Sequence, residues 1–72
     1  MTISTDGLIS MEFFNRTKTL TLVYERDASY SLTEIIEYAD DMAKRIIIME
    51  GALLLHTITK DVDQWRMADV SH

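Results

Sequence analysis

Residues 31–46 read SLTEIIEYADDMAKRI, and this stretch contains the strongest periodic pattern of the chain. Ser31 and Glu34 stand at the spacing of a capping box, which marks the start of a helix. Apolar residues then recur every three or four positions and predict one buried helix face: Leu32, Ile35, Ile36, Ala39, Met42, Ala43 and Ile46. The stretch therefore predicts an amphipathic helix that begins at Ser31.

The end of this helix is marked less sharply. Residues 46–48 are three β-branched isoleucines that suit a new strand, whereas Gly51 suits the position just after a helix C-terminus. Two acid–base pairs four residues apart favour a helix that continues past residue 40: Asp40 with Lys44, and Asp41 with Arg45. We therefore predict that the helix ends near Glu50.

A β-hairpin is predicted ahead of the helix. Residues 8–14 alternate between two faces, and so does the β-branched run 19–24. Residues 15–18, NRTK, are polar and suit the turn between the two runs.

Two further strands are predicted after the helix. Residues 53–59 form the third strand, residues 60–63 a turn, and residues 64–70 a short fourth strand. The predicted order is ββαββ. We expect an α+β fold of two layers, in which an antiparallel sheet packs on one amphipathic helix.

Length and composition limit the class of protein. The 72 residues suffice for one domain with a thin core, and we expect residues 1–6 and 71–72 to be flexible. The absence of cysteine excludes a disulfide and a thiolate zinc site. No stretch approaches the ~20 apolar residues of a membrane span, and the N-terminus does not resemble an export signal. We expect a cytoplasmic protein without a membrane partner.

The chain contains few of the groups that catalysis needs. His56 is predicted to share a strand face with Leu54 and Ile58, which is typical of a structural histidine. Asp61 and Asp63 lack the glycine and the distal glutamate of a calcium loop. Phosphate-binding glycine loops and nucleophile elbows are absent from the sequence. We predict no enzymatic activity, no cofactor and no metal site; a pocket near His56 between subunits remains as an alternative.

An acidic surface is the sharper functional signal. Those acids that fall on the predicted helix follow one another about one turn, or ~5 Å, apart. Such a stripe fits the lysine- and arginine-rich groove of a nucleic-acid-binding protein. The alternative is a solvated helix face that needs no partner. The predicted partner-binding carboxylates are Glu25, Asp27, Glu34, Glu37, Asp40 and Asp41.

The charge balance argues against direct nucleic-acid binding. The net charge is −5, and the seven Lys and Arg residues are scattered along the sequence. A nucleic-acid-binding domain would usually show a basic patch. We therefore expect a protein partner.

Apolar residues are also expected on the sheet face that one helix cannot cover. Leu8, Phe14 and Val23 are predicted on the face opposite the core, and Tyr38 lies at the edge of the apolar helix stripe. A contiguous patch of this kind is typical of an interface, so we predict a homodimer or an anchor for the partner. Scattered exposed apolar residues are also normal in monomers.

The first hairpin, the helix start at residues 31–34 (SLTE), the C-terminal strand at residues 64–66 (QWR) and the acidic balance resemble small phage-encoded inhibitors, including anti-CRISPR proteins. Such inhibitors typically bind a host defence or transcription complex and block its nucleic-acid site or its assembly. The resemblance implies an acidic inhibitor in the host-cell cytoplasm. The alternative is a small structural or regulatory homo-oligomer that self-associates through its sheet face.

Overall fold

The computed structural model describes residues 5–69, and this part of the chain contains five strands and one helix. The predicted flexible residues 71–72, and the first four of residues 1–6, lie outside the described part. The order is ββαβββ, so the fold is α+β with one more strand than predicted. The elements are β1 Leu8–Phe14, β2 Thr19–Tyr24, α1 Leu32–Ala39, β3 Arg45–Glu50, β4 Leu53–Asp61 and β5 Gln64–Asp69.

The strands form one mixed sheet in the order β1-β2-β3-β4-β5. β2 and β3 are parallel, and all other neighbours are antiparallel. The prediction of a wholly antiparallel sheet is therefore wrong. The reason is α1, which connects β2 to β3 and returns the chain to the end from which β2 started, as a parallel pair requires.

The start of α1 confirms the capping prediction, but its end does not match. The Glu34 N–H donates to the Ser31 Oγ at 3.3 Å, so Ser31 is the N-cap. The helix ends at Ala39 rather than near Glu50, and the N–H groups of the next turn donate to the Ala39 carbonyl at 2.8 and 3.0 Å. Residues 46–48 belong to β3 instead. The predicted Asp–Lys and Asp–Arg pairs are consequently not helical neighbours.

The helix was predicted to be too long because the three- and four-residue spacing of apolar residues continues through the loop after it. Ala43 is buried and Met42 packs against the core, although both follow the helix. Ile46 then continues the same three- and four-residue spacing from inside a strand. The core between α1 and the sheet consists of Leu20, Leu22, Tyr24, Ile35, Ala39, Ala43, Ile46, Ile48 and Ile58.

Two bulges change which face some side chains occupy. The β1–β2 register shifts between Leu8 and Ser10, so Leu8 pairs with Tyr24 and packs against the core. Its predicted position on the opposite face is therefore wrong. A second shift lies between Ile48 and Met49.

This second shift separates two residues of β4 that were predicted to share a face. His56 pairs with Ile48 of the core, whereas Leu54 pairs with Met49. Because Ile48 and Met49 are consecutive in β3, their side chains point to opposite faces. His56 and Leu54 therefore lie on opposite faces of the sheet.

β4 is longer than the strand predicted at residues 53–59, and the turn that follows it is shorter than predicted. β4 extends to Asp61 and β5 begins at Gln64, so the turn consists of Val62 and Asp63 alone. Val62 has φ +59° and is 87 % exposed. A β-branched residue in the left-handed region is strained. Residue 70, the predicted end of the last strand, lies outside the described residues.

Candidate binding surface

The parallel pairing of β2 and β3 brings three segments together at one end of the sheet. β2 ends at Tyr24 and β3 ends at Glu50, and these two residues are paired. The Gly51 N–H donates to the Tyr24 carbonyl at 3.1 Å, which fixes the turn after β3 against the end of β2. The loop after β2 leads to the first turn of α1, so residues on that loop and that turn lie at the same end.

Gly7 holds the residues before β1 against this loop. The Glu25 N–H donates to the Gly7 carbonyl at 2.6 Å, and the Ala28 N–H donates to the Glu25 carbonyl at 3.1 Å. Gly7 has φ +76°, and a Cβ at this position would lie 2.6 Å from the Ala28 Cβ. Both the backbone conformation and the close approach therefore require glycine here.

Two stacked tyrosines lie beneath this end. The rings of Tyr24 and Tyr30 have centroids 4.6 Å apart and an interplanar angle of 18°. Tyr24 is 1 % exposed, and its hydroxyl finds no hydrogen-bond partner among the described residues. Burial raises the pKa of Tyr24, with smaller contributions from Tyr30 and from the negative charge of Glu34. Burial likewise raises the pKa of Tyr30, and the charge of Glu50 adds to it.

We call this region the acidic end; it contains five carboxylates and a single arginine, a net charge of −4. None of Glu25, Asp27, Glu34 and Glu50 has a cationic partner within 4 Å among the described residues. An open cleft of about 680 Å³ lies here, between Glu25, Glu50 and the exposed side chains of Ile9 and Leu53. The charged residues of the acidic end are Asp6, Glu25, Arg26, Asp27, Glu34 and Glu50.

The opposite end of the sheet has the reverse charge. It contains the β1–β2 turn, the loop between α1 and β3, and the β4–β5 turn, and we call it the basic end. Six of the seven Lys and Arg residues lie here with four carboxylates, a net charge of +2. A cleft of about 690 Å³ opens between the three loops. The charged residues are Arg16, Lys18, Asp40, Asp41, Lys44, Arg45, Lys60, Asp61, Asp63 and Arg66.

Two of the four acids at the basic end, Asp40 and Asp61, have a cation within 4 Å. Lys60 Nζ lies 3.2 Å from Asp40 Oδ1, and the Trp65 Nε1–H donates to the same oxygen at 3.0 Å. These contacts lower the pKa of Asp40, the Trp65 hydrogen bond first and the Lys60 hydrogen bond and charge next. Arg66 Nε lies 3.7 Å from Asp61 Oδ2. Asp40 therefore joins the end of α1 to the β4–β5 hairpin.

The predicted acidic stripe is divided between the two ends of the molecule. Glu25, Asp27 and Glu34 lie at the acidic end, and Glu37 is exposed on α1. Since α1 ends at Ala39, Asp40 and Asp41 lie in the loop at the basic end. The first three predicted residues are brought together, and the last two are separated from them.

The predicted apolar interface residues do not form one patch. Phe14 pairs with Thr19 and is 49 % exposed, on the sheet face opposite α1. Val23 is half-buried on the same face, but it lies four residues from Thr19 along β2, or about 13 Å. Leu8 and Tyr38 are partly buried and pack against the core instead.

Among the described residues, the possible metal ligands are not grouped as a metal site requires, and His56 lies apart from the two clefts. Within residues 5–69, no three His, Asp or Glu side chains are grouped so that they could hold a metal ion. His56 is half-buried in β4 and lines neither of the two clefts. No helix among these residues is long and apolar enough to cross a membrane.

Several residues of the acidic end were not predicted from the sequence. Asp6 and Glu50 were not selected because they lie 44 positions apart in the sequence, and only the strand order brings their elements together. Glu50 had one usable signal: it follows the β-branched run and precedes Gly51, as the last residue of a strand before a turn does.

Comparison of the chain with protein-family models, with curated proteins and with solved structures found no match.

Proposed function

We propose that the protein is a non-enzymatic inhibitor that binds, through its acidic end, a basic groove of a nucleic-acid-handling complex. A CRISPR effector or another defence effector in the host-cell cytoplasm is the class of target. The observation that supports this proposal is the convergence of five carboxylates on one end of an 8.3 kDa domain, with only Arg26 among them.

The electrostatics of the acidic end favour a basic partner. Glu25, Asp27, Glu34 and Glu50 repel one another without a cation of the described chain within 4 Å. A cationic partner removes this repulsion and gains attraction to every carboxylate at once. The same field accelerates association with a positively charged surface, and this acceleration decreases with salt.

The cleft at this end adds an apolar component. Ile9 is 59 % exposed and Leu53 is 60 % exposed, and both line the cleft beside Glu25 and Glu50. Lysine and arginine side chains combine an apolar stem with a charged tip. Such a side chain would place its stem against Leu53 and its charge against the carboxylates.

Inhibition follows from the chemistry of the proposed target. Grooves that bind nucleic acid neutralise phosphates with lysine and arginine, and these contacts supply much of the affinity. A protein whose carboxylates occupy the same groove competes with the nucleic acid. Glu37 on the exposed side of α1 would extend the contact beyond the acidic end.

Affinity capture with two charge-matched variants tests the proposal. The immobilised wild type should retain nucleic-acid-binding proteins from a host lysate, and duplex DNA or RNA should displace them. The test variant combines Glu25→Lys, Asp27→Lys and Glu34→Lys. At 1 M NaCl, where the Debye length is about 3 Å, the retained proteins should be released.

The control variant carries the same change in net charge at positions away from the acidic end: Glu12→Lys, Asp61→Lys and Asp63→Lys. These three side chains are exposed in the wild type. The test variant should lose the retained proteins and the control should keep them. Equal loss in both variants, or capture that nucleic acid does not displace, would contradict the proposal.

A further inference from the structure

In the part of the chain that the structure describes, β1 forms one edge of the sheet. An edge strand presents backbone groups that no neighbouring strand satisfies. The hydrogen bonds of β2 show which groups these are. The carbonyls of Lys18 and Tyr24 accept from Arg45 and Gly51 on the β3 side, at 3.2 and 3.1 Å. Because bonding direction alternates along a strand, the even-numbered residues of β2 bond towards β3 and the odd-numbered ones towards β1.

The pairing of β1 with β2 then shows which backbone N–H and C=O groups of β1 face the edge. Thr19 and Thr21 bond towards β1, and they pair with Phe14 and Glu12. Phe14 and Glu12 therefore use their N–H and C=O groups inside the sheet. The alternate residues, Met11 and Phe13, direct theirs to the unpaired edge.

The side chains of this edge are apolar and uncovered. Met11 is 41 % exposed and Phe13 is 38 % exposed, on the same face as the core residues Leu22 and Leu20 with which they pair. The short helix α1 does not cover them. Natural edge strands are usually protected by lysine or proline, but β1 has Glu12 as its one charged residue and the chain has no proline.

We propose that a second copy of the chain pairs its β1 with this edge, antiparallel and centred on Met11, to give a two-fold dimer with one continuous sheet. Met11 is the midpoint of Leu8–Phe14, so this register overlaps the whole strand. Met11 then faces Met11 of the second copy, and Phe13 faces Ile9. These pairs place apolar side chains against one another on the α1 face of the sheet, beyond the part that the helix covers.

Charge selects this arrangement over its alternatives. Centring on Met11 places Glu12 opposite Ser10 of the second copy, whereas centring on Glu12 would place two glutamates opposite each other. The antiparallel arrangement thus sets the acidic end of one copy beside the basic end of the other, and a parallel one would set like ends together.

This inference shares Ile9 with the cleft of the acidic end, but it does not use the carboxylates at residues 25–50. It adds a consequence for that function: the two acidic ends lie at opposite ends of the dimer, so one dimer presents two binding surfaces. A dimer without partner binding, or partner binding by a monomer, would separate the two proposals.

Sedimentation equilibrium with a matched pair of variants tests the dimer. Met11→Lys places two positive charges opposite each other at the centre of the interface and should weaken the dimer about 100-fold or more. Met67→Lys is the control, because Met67 is 44 % exposed and lies on the other edge strand, β5. A monomeric wild type, or equal weakening by both variants, would overturn the proposal. So would a dimer lost on Val23→Lys but kept on Met11→Lys, which would assign the interface to the open sheet face.

Cross-linking tests the register without depending on a loss of binding. The chain has no cysteine, so Met11→Cys introduces one thiol per copy. Paired Cα atoms across antiparallel strands lie about 5 Å apart, within disulfide range, so mild oxidation should join the copies. Phe13→Cys should not cross-link, because residues 13 of the two copies lie about 13 Å apart along the strands. Cross-linking of Phe13→Cys in preference to Met11→Cys would refute the register.

Discussion

The acidic end and the basic end of this protein both consist of loops at one end of the sheet, but their carboxylates differ in ion pairing. At the basic end, Asp40 and Asp61 each have a cation within 4 Å, and Asp40 also accepts from the Trp65 indole. At the acidic end, Glu34 and Glu50 have no cation within that distance among the described residues. The basic end therefore pairs two of its four carboxylates, whereas Glu34 and Glu50 at the acidic end have no such partner in the described part of the chain.

Under the proposed function, this difference means that the acidic end gives up stability in order to bind a partner. Uncompensated like charges lower stability, and a folded protein keeps such conflicts mainly at functional sites. The buried hydroxyl of Tyr24, which has no hydrogen-bond partner among residues 5–69, lies beneath the same end. Two kinds of energetic cost thus coincide at the acidic end.

The largest expected effect concerns the backbone that assembles the acidic end. Gly7→Ala should lower the free energy of unfolding by about 3 kcal/mol, because the new Cβ meets Ala28 at 2.6 Å and the residue has φ +76°. Urea denaturation, followed by the fluorescence of the single tryptophan, measures the change.

Gly51→Ala is the matched control for this prediction. Gly51 has φ +60°, but nothing lies within 4 Å of a Cβ placed there. Its substitution should cost about 1 kcal/mol, the strain of the backbone alone. Equal costs for Gly7→Ala and Gly51→Ala would show that the contact with Ala28 does not hold the acidic end together.

Local patterns in the sequence predicted the first half of the fold well. The strands at residues 8–14 and 19–24 and the N-cap at Ser31 are confirmed, because each depends on neighbouring residues only. The helix end was wrong because Met42 and Ala43 pack against the core from a loop while keeping helical spacing. With the helix too long, β3 and its parallel pairing with β2 could not be predicted.

The two charged ends could not be predicted from local sequence patterns either. Lys18, Lys44 and Lys60 are far apart in the sequence, yet they line one cleft because β2, β3 and β4 are neighbours. Their grouping depends on strand order, which periodicity does not encode. The sequence therefore showed the carboxylates near the helix but neither the separation of Asp40 and Asp41 from them nor the basic end itself.

The next largest expected effect on the free energy of unfolding comes from backbone strain at Val62, at the basic end. Val62→Gly should raise the free energy of unfolding by about 1 kcal/mol, because glycine adopts the positive φ of +59° without a Cβ penalty. Val62→Ala keeps a Cβ and should change stability little. Thermal denaturation measures both variants. If Val62→Ala stabilises as much as Val62→Gly, the exposed valine side chain rather than the backbone is responsible.

Because the Tyr24 phenol is buried, we expect the free energy of unfolding to decrease at alkaline pH. Its raised pKa means that the folded protein holds the Tyr24 proton more tightly than the unfolded chain, whose value is about 10. Stability is therefore complete below about pH 10 and decreases as pH rises further.

Tyr24→Phe tests this cause directly. The substitution removes an unpaired hydroxyl and should raise the free energy of unfolding by up to about 1 kcal/mol at neutral pH. It should also reduce the loss of stability between pH 9 and 11, measured by urea denaturation across that range; the remaining loss would come from Tyr30, whose pKa is raised as well. If Tyr24→Phe loses as much stability between pH 9 and 11 as the wild type, Tyr24 is not the source of the loss.

The smallest expected effect is a change in the free energy of unfolding that has opposite signs at the two ends. Glu50→Lys should raise the free energy of unfolding by about 0.5 kcal/mol, because it replaces a repelled charge at the acidic end by an attracted one. Asp61→Lys should lower it by a similar amount, because the new charge faces Arg66, now paired with Asp61 at 3.7 Å. Both changes should shrink in 1 M NaCl, as screened surface charges do. The same sign for both variants would mean that the ends do not differ in how they compensate charge, and the acidic end would then lose its distinguishing feature as a binding surface.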